Sequence, residues 1–241
     1  MGELNLTGFA VVAVAVTLAA ALQASIGFGM GMLAAPVVAI VDPGLLPGTL
    51  IMLAVVVTVM VVLTERQHID LSGTGWALCG RVPGTVAGAL LVSALPDRGL
   101  SILLAAVVLV GIVLTTIGWR PAPHRANLVV AGATSGLLGT ATSIGGPPMA
   151  LIWQSKQGPG LRGSMSTFFL VGSGLSVVTL AATGSISGEI LLLVVVLAPF
   201  PILGFALSLV LNRVLSPVSL RRTAIGVSAF GAVVLMGQQL L

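Results

Sequence analysis

Two stretches, ASIGFGMG at 24–31 and SIGGPP at 143–148, decide the fold of this chain. Both contain Ser-Ile-Gly inside an apolar run, and they lie about half a chain length apart. Glycine frees the backbone and proline removes a helical hydrogen bond, so each stretch predicts a break in a membrane helix. A lipid bilayer tolerates irregular backbone only where protein buries it or where it lines a cavity. Two such breaks, one in each half, indicate the binding site of a transporter.

The composition is that of a polytopic membrane protein built from helices. Hydrophobic residues make up 57% of the 241 residues, charged residues make up 7%, and the mean hydropathy is +1.18. A soluble domain usually carries about 25% charged residues, so this chain has too few to cover a surface facing water. The first apolar run follows Glu3 rather than a basic segment and precedes no convincing small-residue cleavage site, so we interpret it as a retained span.

The charged residues are distributed as orienting charges rather than as a nucleic-acid surface. The net charge is +4, yet the ten Lys and Arg are scattered along the sequence, mostly between apolar runs. A phosphate-binding surface would cluster them on one face. We therefore expect the protein to be embedded in a lipid bilayer and not to bind nucleic acid. Cys79 is the single cysteine of the sequence, which excludes a disulfide framework, and we expect neither a metal nor a cofactor.

Apolar runs divide the sequence into six clear spans and two broken regions. A bilayer crossing needs roughly 20 apolar residues. Residues 7–41 are too long for one crossing, residues 126–154 are shorter, and each region contains one break. We predict a helix, a break and a second short helix in each, as two tilted spans or a re-entrant hairpin, and about 8–10 membrane segments in total. The clear spans are predicted at 45–63, 73–94, 99–118, 164–183, 189–211 and 219–240.

The two halves match in the order broken pair, span, span, span. We predict a duplication with one repeat in 1–120 and the other in 121–241. With the N-terminus outside, eight Lys and Arg are internal and Arg98 is external, as the positive-inside rule requires. Each half then crosses the membrane an odd number of times, which inverts one repeat relative to the other and leaves both termini outside. The internal residues are Arg66, Arg120, Arg125, Lys156, Arg162, Arg213, Arg221 and Arg222.

The helix breaks predict how a small anion is held. A helix that begins inside the bilayer presents unpaired N–H groups and the positive end of its dipole. Glycine lets an anion approach that backbone, and Ser25, Thr142 and Ser143 add hydroxyl donors. The alternative is that these glycines merely allow close helix packing, which is common in membranes. The presence of two breaks at matching places favours the binding site.

Arg81 is the charged residue predicted to lie well inside a span. Inserting it costs about 2.5–3.5 kcal/mol on translocon scales, which indicates a cavity or a partner. Its guanidinium can offer paired hydrogen bonds to a sulfur oxyanion, but Arg81 also lies close enough to its helix start to snorkel to the interface. Gln23 and Gln154 flank the breaks as further donors. Phe168 and Phe169 are predicted to pack in the core rather than to contact the ligand.

Catalysis is not expected from this sequence. A serine hydrolase needs a base beside its serine, and no histidine lies within a predicted span. A metalloprotease motif of paired His with Glu and a P-loop are both missing from the sequence. The acidic residues lie at or beyond the predicted span ends, so the sequence shows no carboxylate proton relay.

The two stretches, together with GRVPG at 80–84, resemble the sulfite exporter TauE/SafE family over nearly the whole chain. The resemblance implies a bacterial inner-membrane exporter of sulfite, thiosulfate or an organosulfonate, and we expect it to work by alternating access. The alternatives are an anion-selective channel and a non-transporting membrane scaffold. The sequence does not decide whether the chain forms a homo-oligomer. The predicted substrate site comprises Ser25, Gly27, Phe28, Gly29, Arg81, Thr142, Ser143, Gly145, Gly146, Pro147 and Gln154.

Overall fold

The computed structural model describes residues 5–116, 121–214 and 226. These residues form helices and no strand, so the predicted all-α fold is confirmed. Short 3₁₀ turns lie at Pro43–Leu45 and Arg66–His68. The α-helices are Leu6–Ile26 (α1), Met30–Val41 (α2), Gly48–Glu65 (α3), Leu71–Ala94 (α4), Asp97–Thr116 (α5), Arg125–Thr142 (α6), Gly146–Ile152 (α7), Gly158–Ala182 (α8), Gly188–Leu197 (α9) and Pro199–Val214 (α10).

The described residues contain five helical stretches that are long and apolar enough to cross a membrane. The chain is therefore a multi-pass membrane protein, as its composition predicted. The predicted span at 219–240, apart from residue 226, and the internal residue Arg120 lie outside the described residues, so the count of about 8–10 segments stays a prediction. Arg221 and Arg222 also lie outside them. The five stretches are Leu6–Ile26, Gly48–His68, Leu71–Ala94, Gly158–Ala182 and Gly188–Val214.

The first predicted helix break separates α1 from α2. α1 ends at Ile26, and α2 begins at Met30. Gly27 has φ 87° and Gly29 has φ 121°, which are backbone conformations that other residues rarely adopt. Glycine at these two positions therefore ends α1 and allows α2 to begin after three intervening residues, inside the protein.

The second predicted break is also present, but it begins two residues earlier in its motif than the first. α6 ends at Thr142 and α7 begins at Gly146, so Ser143 rather than the motif glycine adopts the left-handed conformation, with φ 64°. Pro147 explains the shift, because it has no N–H to donate to the carbonyl of Ser143 and the helix must stop before it. A left-handed serine is uncommon, and such backbone strain clusters at functional sites.

Glycine faces allow several helices to pack closely. Gly80 and Gly84 of α4 lie against α6, where an added Cβ would overlap the carbonyls of Val129 and Ala133. Gly204 of α10 lies in the same way against the backbone of α1. Small residues hold membrane helices together because lipid supplies no hydrophobic force between them. These glycines therefore serve close helix packing, the role that the sequence also allows for the break glycines.

The packing pattern repeats when the two halves are exchanged. α4 of the first half packs on α6, the first helix of the second half. In the same way α10 of the second half packs on α1, the first helix of the first half. α3 and α8 occupy equivalent places and pack on each other. This exchange favours a duplicated architecture, while the repeat boundaries at 1–120 and 121–241 and the inverted orientation stay predictions.

Loops that were predicted to share one side of the membrane lie together in the structure. Lys156 Nζ lies 2.5 Å from Asp70 Oδ2, and Arg162 pairs with Glu65, so the loops after α3 and after α7 meet. We call these four residues the ionic cluster. At the opposite end, the start of α3 at Gly48 lies beside the segment that leads into α9. The assignment of these ends to inside and outside stays a prediction.

Candidate functional site

A small cavity lies between the two helix breaks. Its volume is about 40 Å³, which is room for about three water molecules. Arg81 lines the cavity from α4. The remaining walls come from residues between 23 and 32, between 50 and 54, between 139 and 146, and between 169 and 173.

The two breaks contact each other at this cavity. A Cβ added to Gly31 would overlap the carbonyl of Ser143, and one added to Gly146 would lie 3.1 Å from the ring of Phe28. The Ser143 hydroxyl donates to the carbonyl of Pro47 over 3.1 Å, which connects the second break to the start of α3. Motifs from opposite halves of the sequence thus build one place in the fold.

Arg81 is buried beside the cavity rather than snorkelling to an interface. Its exposed fraction is 2%. Nη1 donates to the Ser135 hydroxyl over 3.0 Å and to the Ser135 carbonyl over 3.3 Å, whereas Nε has no acceptor in the described part of the chain. Cζ lies 5.1 Å from the centre of the Phe168 ring and 5.8 Å from that of Phe169. The guanidinium therefore keeps donor capacity for a further acceptor.

The charge of Arg81 has no carboxylate beside it within the described residues. The ion pairs found there join Glu65 to Arg162 and His68, and Asp70 to Lys156, all at the loop end of the molecule. A buried cation without an anion is costly, because burial removes its hydration and nothing replaces the lost stabilisation. The ring faces of the two phenylalanines offset part of this cost. An anion in the cavity would offset much more of it.

Ser135 of α6 links the guanidinium to the second break. Its hydroxyl accepts from Arg81 and donates to the carbonyl of Gly145 over 2.6 Å. Glycines also make room for the guanidinium, since a Cβ on Gly172 would lie 2.6 Å from Arg81 Cζ and one on Gly139 would lie 3.3 Å from Nη2. The sequence analysis missed Ser135, because a serine ten residues before a break carries no local signal of this contact.

The first break contributes a side-chain amide. Gln23 is 4% exposed, and its Oε1 accepts from the N–H of Met30, the first residue of α2, over 3.2 Å. Its Nε2 has no partner among the described residues, and Gln23 lines the cavity. The first turn of α2, Met30 to Met32, lines the cavity. Gly29 offers no side-chain cap, so Gln23 is the residue that caps this helix start, at the N–H of Met30.

Five of the eleven residues predicted for the substrate site line the cavity, and six do not. The five provide the cation, one hydroxyl and three glycines. Because α7 has only seven residues, it contributes wall residues to the site and not a helix dipole. The cavity-lining residues are Gly29, Arg81, Ser143, Gly145 and Gly146. The other six are Ser25, Gly27, Phe28, Thr142, Pro147 and Gln154.

Several of these six residues have other surroundings. Gly27 packs against Met165, and Phe28 packs against Gly146. The Thr142 hydroxyl donates to the carbonyl of Leu138 and lines a separate small cavity. Ser25 and Pro147 are buried, and Gln154 lies in the turn that follows α7. Their part in substrate binding stays a prediction.

Two further residues line the cavity although they were not predicted to contact the ligand. Phe168 and Phe169 belong to the buried core as predicted, yet Phe169 also lines the cavity. Ser173 of α8 lies on the cavity wall and was not singled out. Its position one helical turn from Phe169 follows from helix geometry once Phe169 is placed.

The comparison with known proteins identifies a family. A family model described as Sulfite exporter TauE/SafE matches residues 12–235. The chain matches no curated protein and no solved structure. The matched residues include both helix breaks, Arg81 and every described helix that lines the cavity. This chain therefore belongs to the TauE/SafE sulfite exporter family, a family of membrane transporters rather than enzymes.

Proposed function

We propose that this protein is a secondary transporter that exports a small sulfur-containing anion, such as sulfite, thiosulfate or a small organosulfonate. The anion binds in the cavity between the helix breaks and moves by alternating access. The family supports transport of a sulfur anion, and the cavity supports the place of binding. A bacterial inner membrane with both termini outside is part of the same proposal.

The observation that carries the proposal is the unpaired positive charge of Arg81. A buried guanidinium with a free Nε–H is preorganised to donate to an oxyanion, and charge-assisted hydrogen bonds are the strongest available to it. Gln23 supplies a second unpaired donor on the opposite helix break. Donors without acceptors on several sides describe a site for an anion rather than for a cation.

The cavity size favours a small anion. About 40 Å³ accommodates about three water molecules, and sulfite, a sulfur with three oxygens, is of similar size. An aryl sulfonate is much larger than this. The volume of the cavity therefore favours a small sulfur anion such as sulfite over an aryl sulfonate.

The charge-poor spans suit export. A negative interior drives an anion outward with about 2.3 kcal/mol per charge per 100 mV. Outward movement then requires no carboxylate relay, and the described helices that line the cavity contribute no carboxylate to its wall. Uptake against this potential would need a coupled ion.

A thermal-shift measurement on the purified protein tests the site. At about one hundred times Kd, sulfite should raise Tm by about 5–10 °C, since such occupancy contributes about 2.7 kcal/mol. Arg81→Lys keeps the charge but loses the fork of donors, and should weaken sulfite binding about tenfold or more. Arg125→Lys is the matched control, because Arg125 lies over the Trp76 ring and away from the cavity. Equal sulfite responses of wild type and Arg81→Lys would overturn the proposed site.

An anion-selective channel remains the second candidate and makes a different prediction. Arg81 is 2% exposed, and this burial favours a carrier over a wetted pore. In proteoliposomes, a carrier should saturate and exchange labelled sulfite against unlabelled sulfite. Current without exchange would favour the channel. A membrane scaffold predicts no thermal shift with any of these anions.

A further inference from the structure

Two buried hydroxyls lie between the cavity and the ionic cluster. Thr74 of α4 is 2% exposed, Ser166 of α8 is fully buried, and neither hydroxyl has a hydrogen-bond partner among the described residues. Helical hydroxyls elsewhere, such as those of Thr17 and Thr134, donate to the carbonyl four residues earlier. A buried hydroxyl that forgoes this bond is costly unless water or a ligand satisfies it.

Both hydroxyls share a helix face with a residue that lines the cavity. Thr74 precedes Arg81 by two turns of α4, and Ser166 precedes Ser173 by two turns of α8. Residues seven positions apart in a helix lie on one face at a separation of about 10 Å. The two hydroxyls therefore continue the cavity wall towards the loop end of the molecule.

The packing of α4 on α8 puts the two hydroxyls at the same level. The Ser164 hydroxyl accepts from the N–H of Asp70 over 2.9 Å, where α4 begins. Further along both helices, Gly172 abuts the guanidinium of Arg81. Thr74 and Ser166 lie between these two contacts on their respective helices. Helix geometry therefore places both hydroxyls between the cavity and the ionic cluster.

The ionic cluster and the cavity lie at the two ends of this stretch of α4 and α8. The ionic cluster lies at the loop end, and each of its ion pairs joins the first half of the chain to the second. Phe169 follows Ser166 by nearly one turn on α8 and lines the cavity, so it lies on α8 between Ser166 and Ser173. Ion pairs between halves can separate when the halves move, whereas the helices themselves stay intact.

We propose that Thr74 and Ser166 line the passage by which the anion moves between the cavity and the loop end, with the ionic cluster as its gate. The inference rests on the proposed function, because the passage serves the Arg81 site. Hydroxyls replace part of the hydration of an oxyanion without trapping it by charge. The field of Arg81 draws anions along the passage and repels cations.

Thiol accessibility in the full-length detergent-solubilised protein tests the passage. Cys79→Ala removes the single native thiol and provides the background. Ser166→Cys is treated with an anionic and a cationic methanethiosulfonate, and each rate is divided by the rate with a free thiol in solution. Thr167→Cys is the matched control, because Thr167 is the next residue on the same helix and its hydroxyl is satisfied by the carbonyl of Gly163.

The thiol introduced by Ser166→Cys should react about tenfold faster with the anionic reagent than with the cationic one. Adding Glu65→Gln and Asp70→Asn, which neutralise the acids of the ionic cluster, should raise the rate with the anionic reagent about tenfold. Thr167→Cys should show neither effect. Thr74→Cys, on the facing helix, should repeat the result and covers the case in which Ser166→Cys does not fold.

Three results would overturn the passage. They are equal normalised rates for the two reagents, rates for Thr167→Cys that match those for Ser166→Cys, and no reaction after the ionic cluster is neutralised. Thermal stabilisation by sulfite separates this failure from failure of the binding site. If sulfite still stabilises the unreactive variants, the site stands and the passage lies elsewhere.

Discussion

The Arg81 guanidinium donates to the Ser135 hydroxyl over 3.0 Å, although the two residues lie on different helices and in different halves of the chain. Ser135 passes the connection on to the carbonyl of Gly145. The buried cation is thereby held against the second helix break, with its Nε–H left unpaired among the described residues. Ser135 thus couples the position of the Arg81 guanidinium to the backbone conformation of the second break.

Ser135→Ala should therefore weaken anion binding. The substitution removes the hydroxyl that accepts from Arg81 and donates to the Gly145 carbonyl. We expect the affinity for sulfite to fall about tenfold and the folded state to be destabilised by about 1–3 kcal/mol. Thermal shift with sulfite measures both quantities. Thr134→Ala is the control, because the Thr134 hydroxyl is exposed and bonds its own helix, and it should leave sulfite binding unchanged. An unaltered sulfite response in Ser135→Ala would contradict this role.

Gly31→Ala should separate the two helix breaks. Its Cβ would overlap the Ser143 carbonyl, so the backbone must shift at a cost of about 1–3 kcal/mol or more. We expect Tm to fall by about 5 °C or more and sulfite stabilisation to be lost. Gly75→Ala is the control, since its Cβ would meet nothing within 4 Å, and it should leave Tm unchanged or raise it slightly. Similar effects of the two substitutions would contradict the close contact of the breaks.

Phe169→Val should widen the range of anions that bind. Phe169 lines the cavity at 8% exposure, and a smaller side chain enlarges the space beside Arg81. We expect taurine and other organosulfonates to stabilise the variant more than the wild type, while the response to sulfite falls. Relative thermal shifts with sulfite and taurine measure this change. An unchanged ratio would show that the ring does not limit the size of the ligand.

The Asp70–Lys156 ion pair should make stability depend on pH in the acidic range. The hydrogen bond from Lys156 holds the pKa of Asp70 below its ordinary value of 3.8. The pair therefore stabilises the folded state fully above this value, and that contribution is lost as pH falls through the lowered pKa. Because the pair is partly exposed, we expect a Tm difference of about 1–3 °C between wild type and Asp70→Asn at neutral pH.

That Tm difference should shrink towards zero as pH falls below about 3.8. Asparagine can still cap α4, where Asp70 accepts from the N–H of Gly73, so the substitution isolates the charge. Lys156→Gln removes the partner and should give the same pH profile. Differences that persist at the lowest pH would show that Asp70 stabilises the fold by some other means.

Sequence patterns predicted the helices and their breaks well because the causes are local. Glycine at positions 27 and 29 and proline at position 147 act on neighbouring backbone atoms, and apolar runs of sufficient length predict helices in a bilayer. The second break nevertheless began two residues before the motif glycine. The reason is also local, since proline acts on the carbonyl four residues earlier. The Ser-Ile-Gly motif shared by both breaks nevertheless led us to expect both at the same motif position.

The site was predicted less completely because its contacts are not local. Ser25 and Ser143 look equivalent in the sequence, yet Ser143 lines the cavity and Ser25 does not. Gln23 was predicted as a donor only from its place beside the break, and Ser135 carries no feature that distinguishes it from other polar residues in apolar helices. Their roles follow from the helices that pack beside them.

The sequence by itself determined that the chain lies in a membrane, that two of its helices are interrupted and that one cation, Arg81, lies within a predicted span. Composition and backbone chemistry act within a few residues, so they can be inferred from the order of residues. Tertiary structure decided that Arg81, Gln23 and the second break share one cavity. Helix packing brings these distant groups together, and the unpaired donors that result face the same enclosed space.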